Sequence, residues 1–98
     1  MVKGYIFKRK NSQYVYMLVP SLLTASYDKS NDKIEYIDTP QLGKSYVDEI
    51  KASKDFRIIK GGIELPSQNI QSMTATNIPV NLEQAIRDNL VRYGGDNQ

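Results

Sequence analysis

The chain has 98 residues, with 13 Lys and Arg against 11 Asp and Glu; it is 40% hydrophobic and contains no His, Cys or Trp. This length fits one domain with one hydrophobic core. The lack of Cys excludes disulfides, thiolate nucleophiles and Cys-based metal sites, and the lack of His removes the usual catalytic base and metal ligand. Most enzyme chemistry is therefore excluded, and we expect a non-enzymatic domain without cofactor or metal.

The chain begins with two predicted strands. Residues 4–9 and 13–19 are rich in Tyr, Val, Ile and Phe, and they flank a short polar segment. A two-residue loop at Asn11 and Ser12 would join them as a β-hairpin and would place Phe7 opposite Tyr16. We therefore predict an N-terminal hairpin with this register.

The predicted register gives the hairpin two different faces, because side chains alternate along each strand. The aromatic face carries Tyr5, Phe7, Arg9, Tyr14, Tyr16 and Leu18. The aliphatic face carries Gly4, Ile6, Lys8, Val15, Met17 and Val19. The aliphatic face is the obvious core side, which leaves the aromatic face either as an exposed platform or as a surface packed under the C-terminal helix. A shift of one residue would exchange the two faces.

The next elements are two further strands and a short helix. Residues 22–27 and 33–37 read as strands around a polar turn at 28–32, which favours an antiparallel meander. Ser45 has the spacing of an N-cap before a short helix at 46–53.

A second hairpin is predicted after this helix. Two apolar runs surround Gly61 and Gly62, and glycine accepts the positive φ values of a tight turn. Pro66 ends the second run, and the segment 69–75 reads as either a loop or one more short strand.

The C-terminal helix is predicted at 82–93. Asn81 fits the N-cap position, and Gly94 fits the position of a left-handed C-cap. The apolar stripe that would pack on the sheet consists of Leu82, Ile86, Leu90 and Tyr93. The fold class is therefore α+β: an antiparallel sheet of five or six strands, a short helix and a C-terminal helix on the sheet. We expect one domain over 1–93 and a loose tail at 94–98.

The positive charge lies in the N-terminal third, where residues 1–33 hold six cations and two anions. Such an excess can attract phosphates, although solvated surface lysines explain it as well. The apolar stretch 14–25 contains two tyrosines and Pro20, so it resembles a strand more than a signal peptide. No apolar run approaches the ~20 residues of a membrane span. We expect a cytoplasmic protein without membrane contact.

Two segments partly match known chemical motifs. The sequence Gly43-Lys44-Ser45 ends a phosphate-loop pattern, but Asp38 stands where that pattern begins with Gly. Asp28, Ser30 and Asp32 match three ligand positions of a calcium loop that then departs from its pattern. Both segments are interpreted as turns, and a catalytic domain that hydrolyses a nucleotide through the Gly43-Lys44-Ser45 loop stays a minor third alternative.

The leading hypothesis is a protein-interaction module, an adaptor, inhibitor or assembly component, that uses the N-terminal hairpin. Tyrosine together with arginine is typical of protein interfaces. The alternative is weak nucleic-acid binding, in which the rings of the same hairpin stack bases while its cations contact phosphates. Self-association stays open. The candidate site residues are Tyr5, Arg9, Tyr14, Tyr16, Lys3, Lys8 and Lys10.

Overall fold

The computed structural model describes residues 2–39, 41–66 and 73–94, which form a five-stranded antiparallel sheet with one helix on each face. The strand order is β4-β3-β2-β1-β5. The elements are β1 (Val2–Arg9), β2 (Tyr14–Val19), β3 (Leu23–Asp28), β4 (Lys33–Asp38), α1 (Lys44–Ala52), β5 (Phe56–Leu65) and α2 (Val80–Tyr93). This architecture confirms the predicted α+β class, with a short helix and a C-terminal helix on an antiparallel sheet.

The register of the N-terminal hairpin is the predicted one. Phe7 lies opposite Tyr16, and Tyr5 lies opposite Leu18. Asn11, in the connecting turn, has a positive φ of 64°, a conformation that Asn tolerates better than most residues. Because the register is right, the aromatic and aliphatic side chains do lie on opposite faces of the sheet.

The core of the aliphatic face is closed by α2. Leu82, Ile86 and Leu90 are buried there against strand side chains such as Ile6 and Met17. Full burial of one such side chain stabilises a fold by about 1.5–3 kcal/mol, so the burial of this stripe stabilises α2 more than the intrinsic helix propensity of its residues does. The predicted packing of the C-terminal helix is confirmed.

Both ends of α2 differ in detail from their prediction. The helix begins at Val80 with Pro79 as N-cap, and Asn81 already lies in the first turn. Gly94 has a φ of −86°, so it is not a left-handed cap. A Cβ there would lie 2.7 Å from the carbonyl oxygen of Leu90 and 3.1 Å from the ring of Tyr27. Close packing, not backbone conformation, is the reason for glycine at this position.

The second predicted hairpin is wrong, because residues 56–65 form the single strand β5. It pairs along β1, and the register slips twice, between Gly4 and Phe7 of β1. Each slip places one extra residue in β5, as β-bulges do. Gly62 supplies the positive φ of 65° within this irregular stretch. The glycine pair therefore bulges and bends a strand and does not reverse the chain.

The remaining sequence predictions concern α1 and the chain around α2. The short helix begins at Lys44 and not at 46, and its N-cap is Gly43 without a side-chain hydrogen bond, so Ser45 is not the cap. Residues 69–72 and 95–98 lie outside the described residues, and 73–75 form no strand. The backbone N–H of Ala75 donates to the Asp38 carboxylate at 2.6 Å, which ties the approach to α2 to the end of β4.

The turn between β3 and β4 is tied to the middle of α2. Asp32 accepts hydrogen bonds from Arg87 at 2.6 Å and from the Tyr27 hydroxyl at 3.2 Å. Burial, followed by the hydrogen bond to Asp32, raises the pKa of Tyr27. On β4, burial and the neighbouring charge of Glu83 raise the pKa of Tyr36 to about 12. The predicted turn at 28–32 is confirmed, and its carboxylates serve contacts within the fold.

Candidate functional site

The aromatic face of the sheet is partly covered by α1. Phe7 and Leu18 are buried against Val47 and Ile50 of the helix, and Tyr5 is half-buried beside them. The expectation of a wholly exposed platform is therefore wrong, and so is the alternative of packing under the C-terminal helix, because α2 occupies the opposite face. Among the described residues the cover ends at β2, and the part of the aromatic face towards β3 and β4 is exposed.

The rings at the border of this cover hold one another in place. Phe7 stacks on Tyr16 with ring centroids 5.2 Å apart and planes 17° apart, and it meets Phe56 edge-on at 5.9 Å. Such pairs stabilise a fold by about 0.5–1.5 kcal/mol beyond the area they bury. The Arg9 guanidinium lies 4.8 Å from the centroid of the Phe56 ring, a cation–π contact. The stack with Phe7 therefore fixes the ring of Tyr16, and the contact with Phe56 directs Arg9 towards β5.

The uncovered part of the aromatic face contains a shallow depression of about 370 Å³, which we call the tyrosine groove. It is lined by Tyr14, Tyr16, Ser26, Asp28, Asn31, Lys33 and Glu35. Six of these side chains form two rows across β2, β3 and β4. The strand register gives the rows as Tyr14, Asp28, Lys33 and Tyr16, Ser26, Glu35. Tyr14 is 40% exposed, and Tyr16 is half-buried.

Two carboxylates and one ammonium group give the tyrosine groove its charge. Asp28 accepts hydrogen bonds from the hydroxyl and N–H of Ser30 and from the Asn31 amide, and these bonds lower the pKa of its carboxyl. Glu35 forms an ion pair with Lys33 at 3.1 Å. The ammonium group thus offsets one carboxylate, and the groove stays acidic at neutral pH.

The cations of the predicted site lie elsewhere, around a second depression of about 330 Å³. We call its cations the basic cluster: Lys8, Arg9, Lys10 and Arg57. Asn11 completes the lining, and none of the lining residues that the structure describes is acidic. A neighbouring depression of about 470 Å³ shares Arg9 and Lys10 and does include Asp55. Among the described residues, no member of the basic cluster forms an ion pair.

The structure thus separates the seven predicted site residues. Tyr14 and Tyr16 line the tyrosine groove, whereas Lys8, Arg9 and Lys10 belong to the basic cluster. Tyr5 lies beside α1. Lys3 lies opposite Glu64, about 17 Å along β1 from Lys8 at ~3.4 Å per residue. The two tyrosines and the cations Lys8, Arg9 and Lys10 thus line different depressions, although Arg9 lies on the aromatic face with the rings.

Sequence reasoning missed Arg57 and the charged residues of β3 and β4. Arg57 joins the basic cluster because β5 pairs with β1, and nothing in the sequence specifies that pairing. Lys33 and Glu35 could have been found, since the alternation along 33–37 already puts both on one face. Their position near Tyr14 and Tyr16, however, could be established only from the order of the strands in the sheet.

Other candidate chemistry finds little support in the geometry. Gly43 caps α1 and Lys44 is its exposed first residue, so this segment leads into a helix of only nine residues. Within residues 2–39, 41–66 and 73–94, no three acidic side chains are placed to hold a metal ion. No helix in the same ranges is both long and apolar enough to cross a membrane.

Comparison with known proteins gives no match: no family model, no curated protein and no solved structure matches this chain. The functional reasoning below therefore depends on the two surfaces alone.

Proposed function

We propose that the protein is a non-enzymatic interaction module that binds a segment of another protein in the tyrosine groove. The observation that carries this proposal is the pair Tyr14 and Tyr16, one 40% exposed and one half-buried, side by side in a depression on a rigid sheet. Tyrosine is enriched at interfaces because it buries a large area and its hydroxyl tolerates a wet rim. The proposal keeps the predicted function and moves its centre from the whole hairpin to β2, β3 and β4.

The rigidity of the groove supports binding. Tyr16 is stacked on the buried Phe7. Both rows of the groove run across three hydrogen-bonded strands, β2, β3 and β4. Binding would therefore cost little conformational entropy in the side chains of the groove, which is the main advantage of a preformed site. The exposed Ile37, 61% exposed on the same face of β4, can extend the contact with an apolar residue.

The charge of the groove favours a partner segment that carries a basic residue. A Lys or Arg side chain can lie over a tyrosine ring and pair with Asp28, whose ionised form the hydrogen bonds of the turn stabilise. A phosphate would meet the same carboxylate and be repelled. The groove therefore suits a basic and partly apolar peptide.

Both carboxylates of the groove are engaged by neighbouring side chains. The Asp28 carboxylate is engaged by three hydrogen bonds in its own turn, and Glu35 is paired with Lys33. The Ser30 hydroxyl that donates to Asp28 belongs to the same turn, where this hydrogen bond closes the turn. The cytoplasmic location expected from the sequence stays a prediction.

Selection from a displayed library of random peptides tests the proposal. The immobilised protein should enrich peptides that contain a Lys or Arg beside an apolar residue, and Tyr14→Ala combined with Tyr16→Ala should weaken their binding at least 30-fold. This loss corresponds to about 2 kcal/mol, the typical cost of truncating a residue central to an interface. If the variant retains its fold and binds every enriched peptide as tightly as the wild type, the groove is not the binding surface.

A matched control separates the groove from general surface loss. Val91 on α2 is 45% exposed, a fraction similar to the 40% of Tyr14, and it lies on the opposite side of the sheet. Val91→Ala should leave peptide binding unchanged. Sedimentation of the free protein over a wide concentration range completes the test, because dimers abolished by the two tyrosine changes would make a second copy of this chain the partner.

A further inference from the structure

The basic cluster is a place where the fold sets like charges against each other. Lys8 of β1 lies directly opposite Arg57 of the edge strand β5. Directly opposed side chains in antiparallel strands have Cβ atoms about 4.5–5.5 Å apart, and like charges at this separation destabilise a sheet. A carboxylate at either position would form a favourable cross-strand pair instead, as Lys3 and Glu64 can further along the same two strands.

The repulsion is not relieved within the described part of the chain. Neither Lys8 nor Arg57 forms an ion pair there, and the depression between them contains Arg9, Lys10 and Asn11 but no acid. Arg9 is held by the ring of Phe56 at 4.8 Å, which leaves the edge of its guanidinium free to donate hydrogen bonds. Four cations thus line one depression at this end of the sheet, Lys8 and Arg57 from the aliphatic face and Arg9 from the aromatic face, and a bound anion would neutralise them.

We propose that the basic cluster binds the phosphate backbone of a nucleic acid. The site is separate from the tyrosine groove, so it goes beyond the proposed function. Two guanidinium groups and two ammonium groups around one depression match an anion with several oxygens, because guanidinium donates in a fork that fits phosphate. None of the described residues that line the depression is a hydrophobic residue that could insert into a bilayer, which favours a soluble polyanion over a membrane. Affinity for the phosphate backbone would be independent of sequence.

The measurement is fluorescence anisotropy of a labelled single-stranded oligonucleotide of mixed sequence, titrated with the protein at several salt concentrations. If all four cations contact phosphates, the affinity should fall about 50-fold between about 50 and about 200 mM salt, and Arg57→Gln should reduce that fall to about 20-fold. Lys8→Gln should act similarly, and the double variant should bind more weakly still.

Lys44→Gln is the matched control, because it removes the same charge from the exposed start of α1, outside the cluster. Unchanged binding by this variant supports the site, whereas a loss equal to that of Arg57→Gln would reduce the effect to net charge and overturn the proposal. Folding does not confuse the result, since removing one of two opposed cations should leave the urea midpoint equal or higher.

Two further probes identify the anion. Polyglutamate should bind more weakly than the oligonucleotide, and vesicles of phosphatidylcholine with phosphatidylserine should not bind in a way that depends on Arg57. Equal binding of polyglutamate, or binding of vesicles alone, would overturn the assignment to nucleic acid. Failure of this site would leave the peptide selection on Tyr14 and Tyr16 unaffected, because the two surfaces share no residue.

Discussion

Truncation of Phe7 tests the central claim about the aromatic face, which is that α1 closes half of it. Phe7 is only 4% exposed, lies in one cluster with Val47 and Ile50 of α1, and contacts two aromatic rings. Phe→Ala changes in such settings cost about 3–5 kcal/mol, through lost transfer energy and the cavity left behind. A domain of this size has a free energy of unfolding of about 5–15 kcal/mol. Phe7→Ala should therefore remove a large part of the stability.

Urea unfolding followed by far-ultraviolet circular dichroism measures the effect. With a slope of about 1–2 kcal/mol per molar urea, the midpoint of Phe7→Ala should fall by about 2 M or more. Phe7→Leu keeps most of the volume and should cost about 1.5 kcal/mol or less, so it remains measurable if the alanine variant fails to fold.

The comparison along the same face makes the test specific. Tyr14 lies beyond the cover of α1 and is 40% exposed, so Tyr14→Ala should cost about 1 kcal/mol or less, and Tyr16→Ala should be intermediate. A loss below about 1 kcal/mol for Phe7→Ala, or equal losses of stability at Phe7 and Tyr14, would refute the reasoning that α1 buries one part of this face and leaves the other exposed.

Three more predictions concern backbone and charge. Gly62→Ala should cost about 1 kcal/mol in urea unfolding because its φ is 65°, whereas Gly43→Ala, where a Cβ meets nothing within 4 Å, should stay within about 0.5 kcal/mol; equal losses would count against the bulge. The pKa of Tyr36 is raised to about 12 from an ordinary 10.0, so the contribution of this group to stability is complete below pH 10 and is lost as the pH rises towards 12. Tyr36→Phe should therefore flatten the decline of the urea midpoint over this pH range. An unchanged slope would contradict the assignment. Asp32→Ala removes an ion pair to Arg87 with side chains 38% and 63% exposed, so it should cost less than about 1 kcal/mol and less at high salt. The same change should lower the pKa of Tyr27 in a tyrosinate absorbance titration without removing the part that burial causes, and a pKa equal to that of the wild type would assign the effect to burial alone.

The sequence was most informative where a local period matched a local structure. The stripe at Leu82, Ile86 and Leu90 predicted both α2 and its packing, because a three-residue apolar face on a helix has few other uses. The hairpin register followed from the length of the loop at Asn11 and Ser12. These features depend on neighbours in sequence, which a single chain displays directly.

The features that sequence reasoning missed depend on residues far apart in the chain. Gly61 and Gly62 permit a turn and a bulge equally, and only the available edge of β1 decides for one continuous strand. The placement of α1 on the aromatic face follows from the same pairing, because β5 continues from the helix. The separation of the tyrosine groove from the basic cluster follows in turn from that cover, so one long-range contact accounts for most of what was missed.

The position of β1 between β2 and β5 has a consequence for synthesis. Arg9 pairs with Phe56 and Val2 with Leu65, so the outer edge of β1 has no partner until β5 has been made. Translation at about 5–20 residues per second leaves the meander with this open edge for about 1–5 s after β4 is complete. An unpaired strand edge is a template for pairing with other chains. We expect β1, an interior strand of the finished protein, to be the point at which nascent chains aggregate.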